Sequence, residues 1–461
     1  MSTPRRRQRV VIAGAGLAGF HAARRLSRLA GHRRGRSVGV QVVLVNPTNY
    51  FLYLPLLPEV AGGILDPRHI AVPPARACPG VRLQLGTVDW VDLDQRQVRL
   101  VDPEGTRRSL VYDRLLLAAG SVNKPLPIPG VAEHAHGFRS IAEALYLRDH
   151  LLRQLELTAA TDDPAERQAR LTFVVVGAGY TGTELAAHGQ LLTHTAACRH
   201  ASLRGQPIRW LLLDLAPRVL PELDRRLSVA ARRTLTGWGV EIRTGTSVTE
   251  ATGEGVRLST GEFVATRSLI WCVGVRPDPL VQQLGLPTSG GRLIVDEYLT
   301  VPGHPEVLAC GDLAAVPDLT RPGQLTPMTA QHAVRQGRLA ARKLAASLGY
   351  GGDRRAHRHH DLGFVVDLGG AKAAANPLGG LLSSLAAKAV THGYHLAAIP
   401  ANRVRIAGDW LLDAVLGRQA VQLGLVRAAA VPLDIDHPNP WPDQLRLTAS
   451  LTPTPSTQEE P

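Results

Sequence analysis

Residues 172–184, TFVVVGAGYTGTE, decide how the rest of the chain is read. An apolar, β-branched run at 173–176 leads into a glycine loop, Gly177-x-Gly179-x-x-Gly182, and Glu184 opens an apparent helix, ELAAHGQLL. Strand, tight turn and helix form the front half of a dinucleotide-binding βαβ unit. The first glycine permits the turn, the second lets a pyrophosphate reach backbone N–H groups at the positive helix end, and the third lets helix and strand pack closely. A single loop of this kind is weak evidence, because glycine turns are common. Here it occurs twice: residues 10–19, VVIAGAGLAG, carry Gly14-x-Gly16-x-x-Gly19. Two copies imply two dinucleotides on one chain.

The bulk composition agrees with such a protein. A length of 461 residues predicts two or three domains. With 44% hydrophobic and 20% charged residues the chain can build large cores, which excludes a disordered polypeptide. The net charge of +13 is carried almost wholly by arginine. It points to an anionic partner, whether dinucleotide phosphates, a membrane surface or nucleic acid, or to a plain Arg-rich solvated surface. The four cysteines, Cys78, Cys198, Cys272 and Cys310, form no close pair. That spacing argues against a redox disulfide or a metal site and fits a reducing compartment. MSTPRRRQRV runs from arginines straight into the first strand without the apolar core of a signal peptide. No run of 18 apolar residues predicts a spanning helix.

Along the chain, a basic insertion at 32–36 precedes a strand expected at 38–45. At its end, where an acidic residue usually meets the adenosine ribose, stands Asn46, which keeps an acceptor but not the charge. Residues 49–70, NYFLYLPLLPEVAGGILDPRHI, are apolar and broken by Pro and Gly, fitting neither a regular helix nor a strand. Short alternating strands follow over 81–120 and end on a small-residue turn at Gly120. NKPLPIPG at 123–130 reads as a linker, and 140–160 as a helix. In the second glycine unit the next strand, 210–213, ends in Asp214. A carboxylate there accepts from both ribose hydroxyls of NAD and repels a 2′-phosphate; Arg218, four residues on, is the competing feature. Residues 269–277, LIWCVGVRP, form a strand-to-loop turn through Gly274, with Cys272 read as a small buried hydrophobe. VLACGDLA at 307–314 delivers Asp312 after Gly311, an acceptor for hydroxyls beside a close backbone approach.

Several of these stretches together resemble the type II NADH dehydrogenases. That family carries NYxLxxPLLxxVA lining its flavin, matched here by Asn49, Tyr50, Leu52, Pro55, Leu56, Leu57, Val60 and Ala61. Its W-A-A-G-V turn is matched at 271–275 with Cys272 and Val273 in place of the alanines. Its quinone-side motif AQxAxQxG is matched at Ala330, Gln331, Ala333 and Gly337, whereas Arg335 replaces the second glutamine and Gln336 stands beside it. His332 reads as structural. The resemblance covers roughly residues 8–430 with the motifs in the family's order.

The resemblance implies an α/β fold with two Rossmann-like dinucleotide-binding domains, arranged as in glutathione reductase, plus a C-terminal α+β region. Residues 8–140 and 288–345 form the FAD-binding domain, 141–287 an inserted NADH-binding domain, 346–445 a C-terminal domain, and 446–461 a disordered tail. FAD is expected against Gly14, Gly16, Gly19, Asn46, Pro55, Leu56, Gly120, Gly311, Asp312 and Ala330. NADH is expected against Gly177, Gly179, Gly182, Asp214 and Gly274. Glu184 is expected at the nicotinamide–flavin junction, positioning the nicotinamide amide or managing protons for the acceptor, and Gln331 on a quinone carbonyl or the flavin edge. No metal is expected.

The implied activity is hydride transfer from NADH to FAD and two-electron reduction of a quinone, without proton pumping. A soluble NAD(P)H:acceptor flavoprotein reductase, a sulfide:quinone oxidoreductase and an NADH-sensing protein like apoptosis-inducing factor remain as alternatives; the four cysteines disfavour the second. The expected setting is cytoplasmic, with peripheral contact at the inner membrane face and no nucleic acid; a homodimer stays open. Leu378, Leu381, Leu382, Leu385 and Ala389 predict an apolar helical stripe with Ser384 and Lys388 opposite. Residues 411–431 either pack on the body of the protein or lie on a membrane.

Overall fold

The computed structural model describes residues 7–30, 39–350, 355–360, 362–377 and 380–434. The basic insertion at 32–36, Leu378 and the 446–461 tail lie outside the described residues. Two parallel sheets organise the chain. The first runs Thr300–Val301, His304–Ala309, Arg114–Leu117, Gln8–Ala13, Val40–Asn46, Val81–Leu85, and the second Ala135–His136, Ser268–Trp271, Thr172–Val176, Arg209–Asp214, Val240–Thr244. Except for the antiparallel edge pair Thr300–Val301 and His304–Ala309, all neighbours are parallel. Strands covered on both faces read as unbroken apolar runs, as VVIA, LLL and TFVVV do. Val10, Val11 and Ile12, and likewise Phe173, Val174 and Val175, are fully buried.

In each sheet the glycine-loop strand sits where the strand order reverses, Gln8–Ala13 between Val40–Asn46 and Arg114–Leu117, and Thr172–Val176 between Arg209–Asp214 and Ser268–Trp271. That is the switch point at which open α/β sheets bind ligands. Two antiparallel strands, Ser121–Asn123 and Val275–Pro277, carry the chain from one domain to the other and back. The expected linker at 123–130 therefore begins as paired β-structure. Ala135–His136, ahead of the helix at 141, already hydrogen-bonds in the second sheet.

The helix Ile141–Ala159 begins with a capping box, in which Ser140 accepts from the Glu143 backbone and Glu143 reaches back to Ser140. The second glycine helix is Tyr180–Arg199, so Glu184 stands one turn inside it and does not open it. The apolar 49–70 segment is a chain of short pieces, the pair-forming Phe51–Leu52, the helix Leu57–Ala61 and the turn Pro67–Ile70. Beyond the second FAD-side helix, Ala330–Ser347, come a small antiparallel sheet, Val365–Asp367, Ala373–Ala375 and Leu382–Ser383, and two helices, Ser384–Ala398 and Arg403–Leu416. The expected leucine stripe is thus divided: Leu382 is in a strand, and the helix starts at Ser384 because positive φ at that residue turns the chain.

Gly19 fixes the first glycine helix to its strand. A Cβ on it would stand 1.9 Å from the Gly14 carbonyl oxygen, whereas one on Gly16 would meet nothing within 4 Å. Gly19→Ala is therefore expected to destabilise the apoprotein by about 1–3 kcal/mol, with Gly16→Ala thermally neutral without ligand; equal melting temperatures for the two variants would contradict this. Buried histidines set a second expectation. His21, His150 and His188 are each held down to about 3 by burial. The unfolded chain binds their protons near pH 6.5, so stability is full above that pH and falls as pH drops toward 3. The urea midpoint of the holoprotein should fall steadily from pH 7 to pH 5; a flat midpoint would show that these histidines are not neutral in the fold.

Candidate active site

Both glycine loops open onto one cavity of about 1460 Å³, above the usual range of roughly 300–1,000 Å³ for a drug-sized ligand. At the first loop Gly14 has φ +98°, and its Cβ would lie 2.4 Å from the Ala118 carbonyl oxygen. At the second, Gly177 has φ +103°, and its Cβ would lie 2.3 Å from the Cys272 carbonyl oxygen. A Cβ on Gly182 would lie 1.9 Å from the Gly177 carbonyl oxygen, and one on Gly179 would meet nothing. The two loops are thus built alike. The first and third glycines close the turn against backbone, and the middle one leaves free space at a helix N-terminus, where a pyrophosphate fits. Gly14, Gly16, Gly177 and Gly179 line the cavity, while Gly19 and Gly182 act behind it by close packing.

Asn46 and Asp214 occupy matching strand ends and do matching work. The Ala15 N–H donates to Asn46 Oδ1 at 2.9 Å, and Asn46 Nδ2 donates to Thr48 Oγ1 at 2.9 Å. The Ala178 N–H donates to Asp214 Oδ2 at 2.5 Å and the Ala216 N–H to Oδ1 at 2.7 Å. Each side chain braces its glycine loop and lines the cavity with acceptor capacity to spare. Arg218 is committed elsewhere, donating to the carbonyls of Leu223 at 2.7 Å and Pro221 at 2.6 Å.

The remaining expected cofactor residues converge on the same space with one exception. Pro55, Gly120, Gly274, Gly311, Asp312 and Ala330 line the cavity. Leu56 does not: it is turned into the core, 1% exposed, and Leu54 and Leu57 take the wall instead. Its place in a Pro-broken helical turn sets that direction, which a motif match cannot show. Gly311 has φ +77°, and its N–H donates to Gln336 Oε1 at 2.8 Å. Gln336 also donates to Thr326 Oγ1 at 3.0 Å. The glutamine beside Arg335 therefore braces the flavin-side turn, while Arg335 points away to His359 Nδ1 at 3.0 Å. Asp312 accepts from Ser121 at 2.6 Å, and Ser121 in turn accepts from Arg139 at 3.1 Å. Burial lowers Arg139, with Asp312 and Glu143 opposing.

Gln331 donates to the Gly363 carbonyl at 2.6 Å, and its own amide oxygen is buried without a hydrogen bond among the described residues. His332 bonds Thr329 Oγ1 at 2.8 Å and stacks on His359 at 3.7 Å, a structural role. Glu184 lines the cavity and accepts the Asp367 N–H at 2.9 Å. Burial raises its carboxyl well above the ordinary range, with Asp367 and Glu59 adding to the rise. Cys78, Cys272 and Cys310 are pushed up to about 12 by burial, and all four cysteines are free. Burial disfavours the reactive thiolate form of Cys78, Cys272 and Cys310.

Sequence reasoning missed Arg139, Ser121, Tyr180 and Phe364, which also line the cavity. It missed as well a buried group behind Glu184 that includes Glu59, Asp367 and His188. A lone acid in the apolar run PLLPEVA was the available signal for Glu59, and the acid of FVVDLGG for Asp367.

Residues fit for a flavin dinucleotide are therefore in place on one side of the cavity and for a nicotinamide dinucleotide on the other. The family model described as pyridine nucleotide-disulphide oxidoreductase matches residues 8–337. The type II NADH:quinone oxidoreductase NdhA of Mycobacterium tuberculosis is 34% identical over 351 residues, 72% of this chain and 70% of that protein. The demethylphylloquinone reductase NdbB of Synechocystis is 30% identical over 416 residues, 88% of this chain and 96% of that protein. Among solved structures, NDH2 of Plasmodium falciparum in complex with NADH shares the fold, with a TM-score of 0.82 at 17% identity, covering 90% of this chain and all of that one. The family model over residues 8–337 and the relatives at 30–34% identity, on a chain whose two dinucleotide cradles face one cavity, place it in the pyridine nucleotide-disulphide oxidoreductase family, among the type II NADH:quinone oxidoreductases.

Proposed function

We propose that this chain is an FAD-dependent NADH dehydrogenase that reduces a quinone by two electrons without pumping protons. The observation that carries the reading is the single cavity shared by both glycine loops, with Glu184 and Gln331 on its walls. FAD is assigned to Gly14, Gly16, Asn46, Pro55, Gly120, Gly311, Asp312 and Ala330, with Gly19 packing behind. NADH is assigned to Gly177, Gly179, Asp214 and Gly274, with Gly182 packing behind. In domain terms, the first and third parts of the 8–345 region hold FAD and the inserted part holds NADH. Bound flavin supplies the two-electron relay between nicotinamide and quinone.

The protein's own residues orient, brace and donate. Asp214 places a carboxylate at the ribose end of the second loop, which repels a 2′-phosphate. Glu184, held protonated by burial, offers an O–H to the nicotinamide amide or to the acceptor. Gln331 offers its unpartnered amide oxygen. Reduction of a quinone by NADH also takes up one proton per turnover, which a wall carboxyl is placed to deliver.

The acceptor's hydrophobicity suits a second feature. The helix Arg403–Leu416 is turned inside out relative to a core helix. Leu411, Leu412 and Val415 face outward, 64%, 56% and 70% exposed, while Asp409 and Trp410 face the body, bonded to His69 and Glu59. An exposed apolar face of this kind marks a contact surface, and with the exposed Arg403 and Arg405 beside it we assign it to an anionic membrane surface. Among the described residues no helix is long and apolar enough to cross a membrane.

Stopped-flow absorbance tests the activity. NADH should bleach the flavin, a menaquinone or ubiquinone analogue should restore it, and kcat/KM should favour NADH over NADPH at least about tenfold, roughly 1.4 kcal/mol. Glu184→Gln should slow quinone turnover with FAD retained. A colourless protein that rebinds no flavin, or a preference for NADPH, would sink the assignment. For the membrane face, flotation with phosphatidylglycerol vesicles should carry the wild type and leave Leu411→Glu/Val415→Glu in the soluble fraction; co-flotation of both would show that this helix is not the contact.

A further inference from the structure

Behind Glu184 lies a buried polar group drawn from five elements. Glu59 comes from the short helix Leu57–Ala61, Asp367 from the end of the strand Val365–Asp367, Lys388 and His392 from Ser384–Ala398, Trp410 from Arg403–Leu416, and Glu184 and His188 from Tyr180–Arg199. Glu59 is 3% and Asp367 4% exposed, in an otherwise apolar wall. Carboxyl oxygens of these two and a ring nitrogen of His392 all lie within 4.8 Å of one another. Lys388 Nζ donates to Asp367 Oδ2, and the Gly369 N–H to Asp367 Oδ1 at 2.9 Å. The Trp410 indole N–H donates to Glu59 Oε2. The Asp367 backbone N–H reaches Glu184 Oε1 at 2.9 Å.

Counting charge decides what this group can be. It holds three carboxyls and one ammonium. The ammonium is spent on Asp367. Burial opposes ionisation of Asp367, but the Lys388 cation and the Gly369 N–H on its two oxygens outweigh burial and hold it below the usual carboxylate range. The imidazoles add no cation: burial lowers His188 to about 3, and His392 and His395 to about 4. An ionised Glu59 would be a second negative charge with no counter-charge, and burial followed by Asp367 raises it. Buried like charges this close do not ionise together. Lys388 already supplies the cation, so the cluster is an ion pair flanked by neutral acids and not a vacant metal site.

We propose that Glu59 is a positioning residue for proton delivery, a carboxyl kept protonated against Asp367 that sets how tightly Glu184 holds its own proton. The proposal rests on the NADH:quinone reading above and adds a residue to it. In the overall change, NADH, one proton and a quinone give NAD⁺ and a quinol. The O–H bond of Glu184 breaks as an O–H bond forms on the quinone oxygen, and Glu184 then regains a proton from solution. Each release leaves a carboxylate beside Asp367. With Glu59 neutral, the group then carries two negative charges and one positive; with Glu59 ionised it would carry three and one. An ionised Glu59 thus makes Glu184 hold its proton more tightly.

Other charged and titratable groups surround this cluster. On the elements that carry or pack against it are His395, bonded to Tyr53 at 3.1 Å, the Asp409–His69 pair at 2.5 Å, Asp413 beside Arg418 at 3.4 Å, Asp149 beside Arg148 at 3.4 Å, and Asp66 ahead of the turn that carries His69. Asp413 has the Arg418 guanidinium 3.4 Å away, and Asp149 and Asp66 each accept a backbone N–H. The uncompensated acids are Glu59 and Glu184.

The test is infrared spectroscopy of the FAD-loaded protein, read through the carboxylic-acid C=O stretch with H₂O/D₂O exchange. Wild type should show two protonated carboxyls at neutral pH, one lost in Glu59→Gln and the other in Glu184→Gln. In Glu59→Gln the surviving band should titrate at lower pH. The alkaline limb of quinone reduction should follow it, by about one pH unit or tenfold in rate on that limb. NADH:ferricyanide turnover, whose acceptor takes no proton, should keep its wild-type pH profile. Trp410→Phe, which leaves Glu59 in place, should move the Glu59 band to higher wavenumber and its midpoint upward. Bands unchanged in both Glu59→Gln and Trp410→Phe overturn the proposal, as does an equal shift with ferricyanide. The bands are read without turnover, so their absence would remove Glu59 alone, whereas failure of NADH to bleach the flavin would remove the dehydrogenase reading.

Discussion

Everything in this protein hangs on one steric constraint used twice. In each dinucleotide domain the third glycine of the loop stands where a methyl group would lie 1.9 Å from the first glycine's carbonyl oxygen. That contact leaves no room for a side chain, so helix and strand are locked at one distance and angle. The helix N-terminus is thereby aimed at the switch point of its sheet, with an open middle glycine in front of it. A third close approach, at Gly337, would bring a Cβ 2.1 Å from the Ala18 carbonyl oxygen, and it fixes the helix Ala330–Ser347 against the first glycine helix. This sets where Gln331 and Gln336 can reach.

From these anchors the site follows by addition of polar braces. Asn46 and Asp214 tie down the loops from the next strand along, and Gln336 ties down Gly311. The crossover strands bring Ser121 to Asp312 and Asn123 to Glu143, which joins the hinge between the domains to the cavity wall. The substitution of asparagine for an acid at 46 costs the loop nothing, because its amide oxygen accepts the same backbone N–H that the carboxylate of Asp214 accepts in the second domain. Arginine at 335 is tolerated for a similar reason: the side chain that faces Gly311 belongs to the neighbouring position.

The C-terminal segments close the cavity from the far side and make the chemistry of its wall. They place Asp367 and Lys388 behind Glu184 and leave an apolar helix face toward the outside. The polar side of that helix is inward, where Trp410 meets Glu59 and Asp409 meets His69. One element therefore links the exposed apolar face to the buried acids behind Glu184.

Local sequence determined a good deal of this. The two glycine loops, the strands ending at Asn46 and Asp214, the small-residue turns at Gly120, Gly274 and Gly311, and the helix over 140–160 take the backbone shapes that their residue types favour. Contacts across hundreds of residues were not legible. Leu56 turned into the core because its neighbours in the same turn fill the wall, and the leucine stripe at 378–389 broke because Leu382 pairs with Ala375 in a sheet. Glu184 lost its place as a helix-opening residue and gained a partner 183 residues away. Glu59, Asp367, Lys388 and Trp410 each look unremarkable alone, since a single charge in a sequence carries no record of its counter-charge. Backbone sterics act locally and are written in the order of residues, whereas the state of a buried acid depends on what the fold packs around it, and only the tertiary structure decides that.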